Sequence, residues 1–517
     1  MDDKSASSPV VMKLPNNTSP QWWRDRGLRR LIFWQMCTLV TQMTVGYDES
    51  IVGSFQAMEP WIRDMGNPSA SKIGLISTVV FIGGFCGAFV APPVADHFGR
   101  RAAILLGSCL VVIGAVIQTA AQNSDMFIGG RLIIGFGISF TCCAGPSLIN
   151  ELAHPRMRGT IASMFNVLWY AGSIIAAWVS FGTGHLTASS WSWRTPSVIQ
   201  AAPGVLVLCA LPFIPESPRW LYSQGKVDEA RQVLANYHAN GTLDDALVEL
   251  EMNELASGIA QDRTSKEMAW AQLLKSKANR KRFSICIAVA LLTLWNGQGV
   301  ISYYFSPILT SIGITSTDSQ TGINGGLQIW NFFCALFGAL LADRVGRRTL
   351  WLWSFIGMIA CNVPLTISSA IYSKHGNNAS AYTAVVFLFL YDAAFNIACN
   401  PLLYCYAVEI LPYSIRARGL GLQIAASQAA LTVNQYVNPI ALDSIGYYYY
   451  IFYLGMLILG TAIIYFFFPE TKGYTLEELS HFFEDPEVVD IEGLEKGRDA
   501  NSTTKASPNL SVKGLDI

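Results

Sequence analysis

The stretch ADHFGRR, residues 95–101, returns as ADRVGRR at residues 342–348, and each copy joins two long apolar runs. Two further echoes follow in the same order. NELAHPRMRG at 150–159 returns as VEILPYSIRARG at 408–419, and PESPRWL at 215–221 returns as PETKGYTL at 469–476. Three matches in register mark a duplicated unit.

Working outward from these anchors, apolar windows of about nineteen residues give twelve candidate membrane helices. They fall near 31–55, 73–95, 102–121, 127–149, 160–183, 196–214, 283–305, 321–341, 349–370, 382–406, 418–441 and 447–468. Each is close to the roughly twenty residues needed to cross a hydrocarbon core of about 30 Å. The charged break at 216–282 contains periods such as VDEARQVLANYH, the pattern of short amphipathic surface helices. The expected organisation is a polar tail (1–30), a six-helix bundle (31–215), a helical loop (216–282), a second bundle (283–468) and a tail (469–517). The fold class is therefore an all-α membrane protein of two pseudo-symmetric six-helix bundles.

Composition agrees. The chain is 51% hydrophobic and only 14% charged, with a net charge of −1, which gives no reason to expect nucleic-acid binding. All 11 cysteines lie within the apolar runs, where small hydrophobic residues serve helix packing. Arg24, Arg26, Arg29, Arg30, Arg100, Arg101, Arg156, Arg158, Arg344, Arg347, Arg348, Arg416 and Arg418 share one side with the long loop. The other side holds Arg63, Lys72, Arg194 and Lys374, so both termini and the loop are expected in the cytoplasm. Residues 1–30 show no apolar stretch ahead of a cleavage site, which leaves targeting to the first span. On the outer side Asn378, in the sequon NAS, is the expected glycan acceptor. No nucleophile–base pair, metal-ligand cluster or phosphate-binding loop is read, so the expectation is a carrier without metal or cofactor, and not an enzyme.

Charges inside the spans point to function. TVGYDESIVG, residues 44–53, places Asp48 and Glu49 inside the first span. Asp48 lies about 26 Å from the start of that helix, and Arg131, in GGRLIIGFG, roughly 9 Å below the opposite face. Those depths agree to within a turn, and Gly129, Gly130, Gly135 and Gly137 let a neighbour approach the fourth span closely. Asp48 and Arg131 are the expected pair. Burial raises a carboxylate's pKa and a guanidinium lowers it, so motion between the two would bind and release a proton. Glu49 points about 100° away and is given no role. Asp392, in YDAAFN, has Asn396 one turn on as a local partner, and the expectation there is structural.

The paired motifs, with NGQGVISYY at 296–304 and NVLWYAGS at 166–173, resemble the sugar porter family of the major facilitator superfamily over essentially all twelve spans. The likeness is greatest to its fungal lactose and cellodextrin permease branch. It implies import of a mono- or disaccharide by alternating access. Asp at position 48 implies proton symport, the proton being the only coupling ion. The alternatives are a facilitative sugar uniporter, or a carrier or exporter of another polar metabolite. A plasma-membrane protein working as a monomer is expected. Asn166, Tyr303, Tyr304, Asn331 and Tyr404 align with family sugar contacts, and Asn296, Gln298 and Gln428 add amides nearby. Thr293 and Leu294 stand where hexose carriers have paired glutamines, and Gly299 where asparagine is common. A cytoplasmic latch is expected in which Asp96 with Arg100, and Asp343 with Arg347, pair across the bundles together with Glu151, Arg158, Glu409 and Arg416.

Overall fold

The computed structural model describes residues 22–155, 157–267, 274–376, 378–411, 413–472 and 483. The side chains of Arg158, Asn166 and Asp343 lie outside the described residues. The first half begins with α1 (Arg26–Phe55), a short α2 (Glu59–Asp64), α3 (Ala70–Phe98), α4 (Arg100–Thr119), α5 (Ser124–Leu152) and α6 (Arg158–Gly184). Its sixth span is divided into α7 (Trp191–Ile199) and α8 (Ala201–Ala210). Then α9 (Pro218–Ser223), α10 (Val227–His238) and α11 (Ala246–Glu267) follow as the helical loop. The seventh span comprises α12 (Lys277–Leu294), α13 (Gln298–Tyr303) and α14 (Phe305–Ser311). The second half continues with α15 (Thr317–Val345), α16 (Arg347–His375), α17 (Asn378–Ile410), α18 (Tyr413–Ile445) and α19 (Tyr448–Phe467). The fold is thus the expected twelve-span, two-bundle arrangement.

Among the described residues, 8 of these spans are long and apolar enough to cross a membrane on composition alone. The others are the first, seventh, eighth and eleventh. They bury polar side chains such as Asp48 and Gln35 in α1, Asn324, Gln328 and Asn331 in α15, and Asn434, Gln435 and Asn438 in α18. Lower hydropathy marks the helices that turn polar groups toward other protein rather than toward lipid.

The seventh span departs from the single helix expected over 283–305. Gly297 sits at φ +98°, a left-handed conformation that breaks the helix. Backbone groups freed inside a membrane must find partners within the protein. Asn296 supplies them, its Nδ2 donating to the Thr293 carbonyl at 3.0 Å and its Oδ1 accepting from the Gln298 amide at 3.0 Å. The Tyr391 hydroxyl donates to the Asn296 carbonyl.

The three repeated motifs converge on one network in each half. Gly99 turns the chain at φ +100°, and the Glu216 carboxylate then caps α4 by accepting from the amides of Arg100 (3.2 Å) and Arg101 (3.1 Å). Burial pushes the Glu216 carboxyl above its ordinary pKa, against the pull of the Ser217, Arg101 and Arg100 amides. Arg100 reaches Glu151 at 3.1 Å, and the Ser217 hydroxyl also donates to Glu151. In the second half Gly346 (φ +107°), Glu470 on the amides of Arg347 (2.8 Å) and Arg348 (3.1 Å), and Thr471 on Glu409 repeat the design. Arg347 meets Glu409 at 2.9 Å.

The described contacts of the expected latch residues lie within single halves. Asp96 pairs with Arg100 one turn along the chain at 3.2 Å, and the Arg416 guanidinium donates to the Leu411 carbonyl at 3.3 Å. Each of these ion pairs joins groups of the same half. Among the described residues, these pairs brace each bundle internally.

Across the halves, α3 packs on α18 and α6 on α15. The described hydrogen bonds that cross run from mid-membrane to the end opposite the helical loop. They include Asn324 to Ser54 (3.2 Å), Thr317 to the Ala57 carbonyl (2.9 Å), Ser173 to Gln328 (2.7 Å) and Ser71 with Tyr436 (3.2 Å). On the loop side, Tyr404 is 41% exposed although it lies within electrostatic range of Cys142 and Glu49 of the other half, so the interface opens in that direction.

Close backbone approach inside the first half depends on small residues. A Cβ at Gly46 would stand 1.9 Å from the Trp169 carbonyl oxygen, and one at Gly172 2.0 Å from that of Met43. Gly130, Gly135 and Gly137 likewise meet neighbouring backbone, whereas Gly129 has nothing within 4 Å. Gly46→Val or Gly172→Val should therefore abolish the folded, detergent-extractable species seen on size-exclusion chromatography. Gly129→Ala should leave its yield unchanged.

Candidate functional site

The sequence pairs Asp48 with Arg131 by depth alone, and the two side chains meet. Asp48 is fully buried and Arg131 is 2% exposed, with Nη1 3.4 Å from Asp48 Oδ1. The guanidinium is fixed on its other edge by Nε donating to the Ile76 carbonyl at 3.0 Å. Gln200 Nε2 donates to the same Asp48 Oδ1 at 2.5 Å, and Gln118 Nε2 donates to Gln200 Oε1 at 3.2 Å. The sequence reading does not single out these glutamines, although an amide inside an apolar span is itself a signal. One oxygen of Asp48 thus holds the ion pair and the Gln200 bond, and the other, Oδ2, has no hydrogen-bond partner among the described residues.

Glu49 faces elsewhere. Its Oε2 accepts from Trp169 Nε1 in α6 at 3.0 Å and from the Tyr303 hydroxyl in the opposite half at 3.3 Å. Tyr404 and Cys142 lie within electrostatic range of it, so residues of both bundles share one space. Tyr303 also stacks edge-on against Phe81 at 5.9 Å. Gln428 borders this region opposite Gly84, and its Oε1 has no partner among the described residues.

The remaining expected ligand contacts divide. Tyr303, Tyr404 and Gln428 lie at the interface between the halves. Tyr304 is there too but is fully buried, donating to the Gln435 carbonyl at 2.6 Å with Ser77 of the first half beside it. Asn296 is 1% exposed and serves the helix break. Asn331 is 2% exposed and donates to Asp392 Oδ2 at 2.7 Å. Gln298 donates to Ser302 and lies within reach of the Asp392 carboxylate. Asn396, the expected local partner of the Asp392 carboxylate, donates through Nδ2 to the Asp392 backbone carbonyl at 2.9 Å. Its Oδ1 instead accepts from Tyr170 of the other half, which also takes a bond from Asn400 at 3.1 Å. Asp392 is thus a buried acid held by neutral amides.

Comparison with known proteins decides the class. The model of the family described as "Sugar (and other) transporter" matches residues 34–483. The chain belongs to this family. It is a multi-pass membrane transporter of the major facilitator superfamily, in the sugar porter group. Relatives include an MFS-type transporter, criB, of Aspergillus cristatus, 29% identical over 90% of this chain and 96% of its own. A high-affinity glucose transporter of Kluyveromyces lactis is 27% identical, with 92% of each chain covered. Among solved structures, the partially occluded inward-open xylose transporter XylE from E. coli superposes with TM-score 0.72 at 21% identity, over 87% of this chain and 100% of that one. The proton:xylose symporter XylE bound to 6-bromo-6-deoxy-D-glucose gives 0.70 at 22% identity, over 88% and 99%. At such identity the superpositions establish the fold of this sugar porter and nothing finer.

A buried charge that loses its partner costs about 3–5 kcal/mol, while removing both charges costs far less. Arg131→Ala should lower stability by roughly that amount, measured by thermal unfolding in detergent. The double variant Asp48→Asn/Arg131→Ala should recover much of the loss. Additive effects of the two single changes would show that the groups are not coupled.

Proposed function

We propose that this porter imports a mono- or disaccharide by proton symport with alternating access. The carrying observation is the fully buried Asp48, ion-paired through Oδ1 and without a partner at Oδ2 among the described residues. In such a setting burial favours the protonated acid and the guanidinium favours the ionised one. A rocking movement that changes the Asp48–Arg131 distance would alternate the two states. The proton is the only coupling ion in this scheme, and it needs no other cofactor and no chemistry on the substrate.

In the same reading the helical loop and both termini face the cytoplasm, in keeping with the arginine asymmetry. The halves, joined at the opposite end, then form an inward-facing state. Tyr303, Gln428 and Tyr404 are the proposed ligand contacts, and Asn166 and Gln298 are proposed together with them. The porter acts as a monomer in the plasma membrane, and Asn378, exposed at the start of α17, accepts the glycan.

A second reading has its own support. The criB relative is named only as an MFS-type transporter, and Thr293, Leu294 and Gly299 replace amide positions of hexose carriers. A carrier of another polar metabolite, or an uncoupled uniporter, fits those observations.

Asp48→Asn separates the readings, because asparagine imitates the permanently protonated acid. Substrate binding and exchange should persist, while accumulation against a concentration gradient should vanish. Uptake of a sugar panel in transporter-null yeast, with and without an imposed pH gradient, provides the measurement. Wild-type uptake indifferent to that gradient would favour the uniporter.

A further inference from the structure

Asp48 and Glu49 are consecutive, but helical geometry sends them to different surroundings, about 100° apart. Asp48 is enclosed within the first half, with Arg131 committed to it and to the Ile76 carbonyl. Glu49 is half-buried and faces the space between the bundles. Among the described residues no lysine, arginine or histidine lies within ion-pair distance of it. The groups around it are Asp48 and Arg131 behind it, Tyr303 in front, and Tyr404 and Cys142 toward the loop side.

Both described hydrogen bonds to Glu49 end on one oxygen. The Trp169 indole comes from the same half at 3.0 Å, and the Tyr303 phenol from the other half at the longer 3.3 Å. No described hydrogen bond reaches Oε1. The indole therefore orients the carboxylate, the weaker phenol contact is replaceable, and one acceptor oxygen is open to the central space. A carboxylate accepts two neighbouring hydroxyl or ammonium donors in a bidentate, charge-assisted manner. An anionic ligand would meet it, and Asp48 behind it, at a cost.

We propose that Glu49 is the specificity-determining acceptor of the central site. It takes a pair of neighbouring hydroxyl donors from a neutral polyhydroxylated ligand and excludes anionic analogues. The proposal rests on the sugar-carrier reading and adds to it the charge selection of the ligand. It is independent of proton coupling at Asp48.

The test measures initial uptake of radiolabelled D-glucose, D-xylose, lactose and sorbitol by the full chain in transporter-null yeast, with D-glucosamine and D-gluconate as competitors. Glu49→Gln keeps the size of the side chain and removes its charge. Replacing a charge-assisted bond by a neutral one should raise KM for the carried solute about tenfold, with the maximal rate per carrier little changed. Competition by glucosamine should weaken and competition by gluconate should appear. Glu49→Asp should raise KM but keep the wild-type competitor order. Trp169→Phe should raise KM less and also keep that order. Competitor order does not depend on how much carrier reaches the membrane, so a merely structural role would leave it unmoved. An unchanged KM and competitor order in Glu49→Gln would overturn the proposal alone. Gluconate competition emerging in Glu49→Asp, which keeps the charge, would overturn it equally. A wild type that carries none of the four solutes would overturn the sugar reading together with it, an outcome visible before any variant is made.

Discussion

Asp48 and Arg131 meet at 3.4 Å in a part of the bundle where neither can share its charge with water. Neither residue is tolerable there without the other, and the surroundings are arranged around that necessity. Ile76 in α3, Gln118 in α4 and Gln200 between α7 and α8 each add one bond to the pair or to its partner. Five spans of the first half are thereby tied at one point. Glycines at 46 and 172 bring α1 and α6 to backbone contact close by. The result is a bundle suited to move as one body, with its charge inside.

The second half handles its buried acid differently. Asp392 is held by the Asn331 amide, with Gln298 within reach, and Asn396 and Asn400 carry the network on to Tyr170 across the interface. No cation joins Asp392 among the described ion pairs. The broken seventh span lies beside this network and sends Tyr303 back to Glu49. Each half therefore contributes one end of a polar layer at mid-membrane, while the cross-half bonds beyond it close the far end. Alternating access needs such a layer to be re-formed from either side.

Much of this is legible in the chain. Repeated motifs and apolar spacing disclose twelve spans in two halves, because hydrocarbon thickness and backbone satisfaction leave few other solutions. Asp48 and Arg131 can be paired by counting residues along two helices. Counting does not tell which way the motif arginines reach, and they brace their own halves through Glu151 and Glu409. Tyr304 and Asn331 carry the right chemistry for a ligand but face protein, on Gln435 and Asp392. Glu49 has the opposite fate, since its bond to Tyr303 joins residues far apart in the chain. The unforeseen break at Gly297 reflects a signal that is weak in sequence, a glycine flanked by two amides inside an apolar run.

The central claim is that sugar and proton cross together, with Asp48 carrying the proton. Purified porter in liposomes containing no sugar, placed in lightly buffered medium with an external pH indicator, tests it directly. Adding the transported sugar should make the medium more alkaline as protons enter with it, and Asp48→Asn should abolish the signal while sugar exchange continues. Net sugar entry into the wild-type liposomes with no change of external pH would contradict the claim and leave the Asp48–Arg131 pair as a brace within the first half.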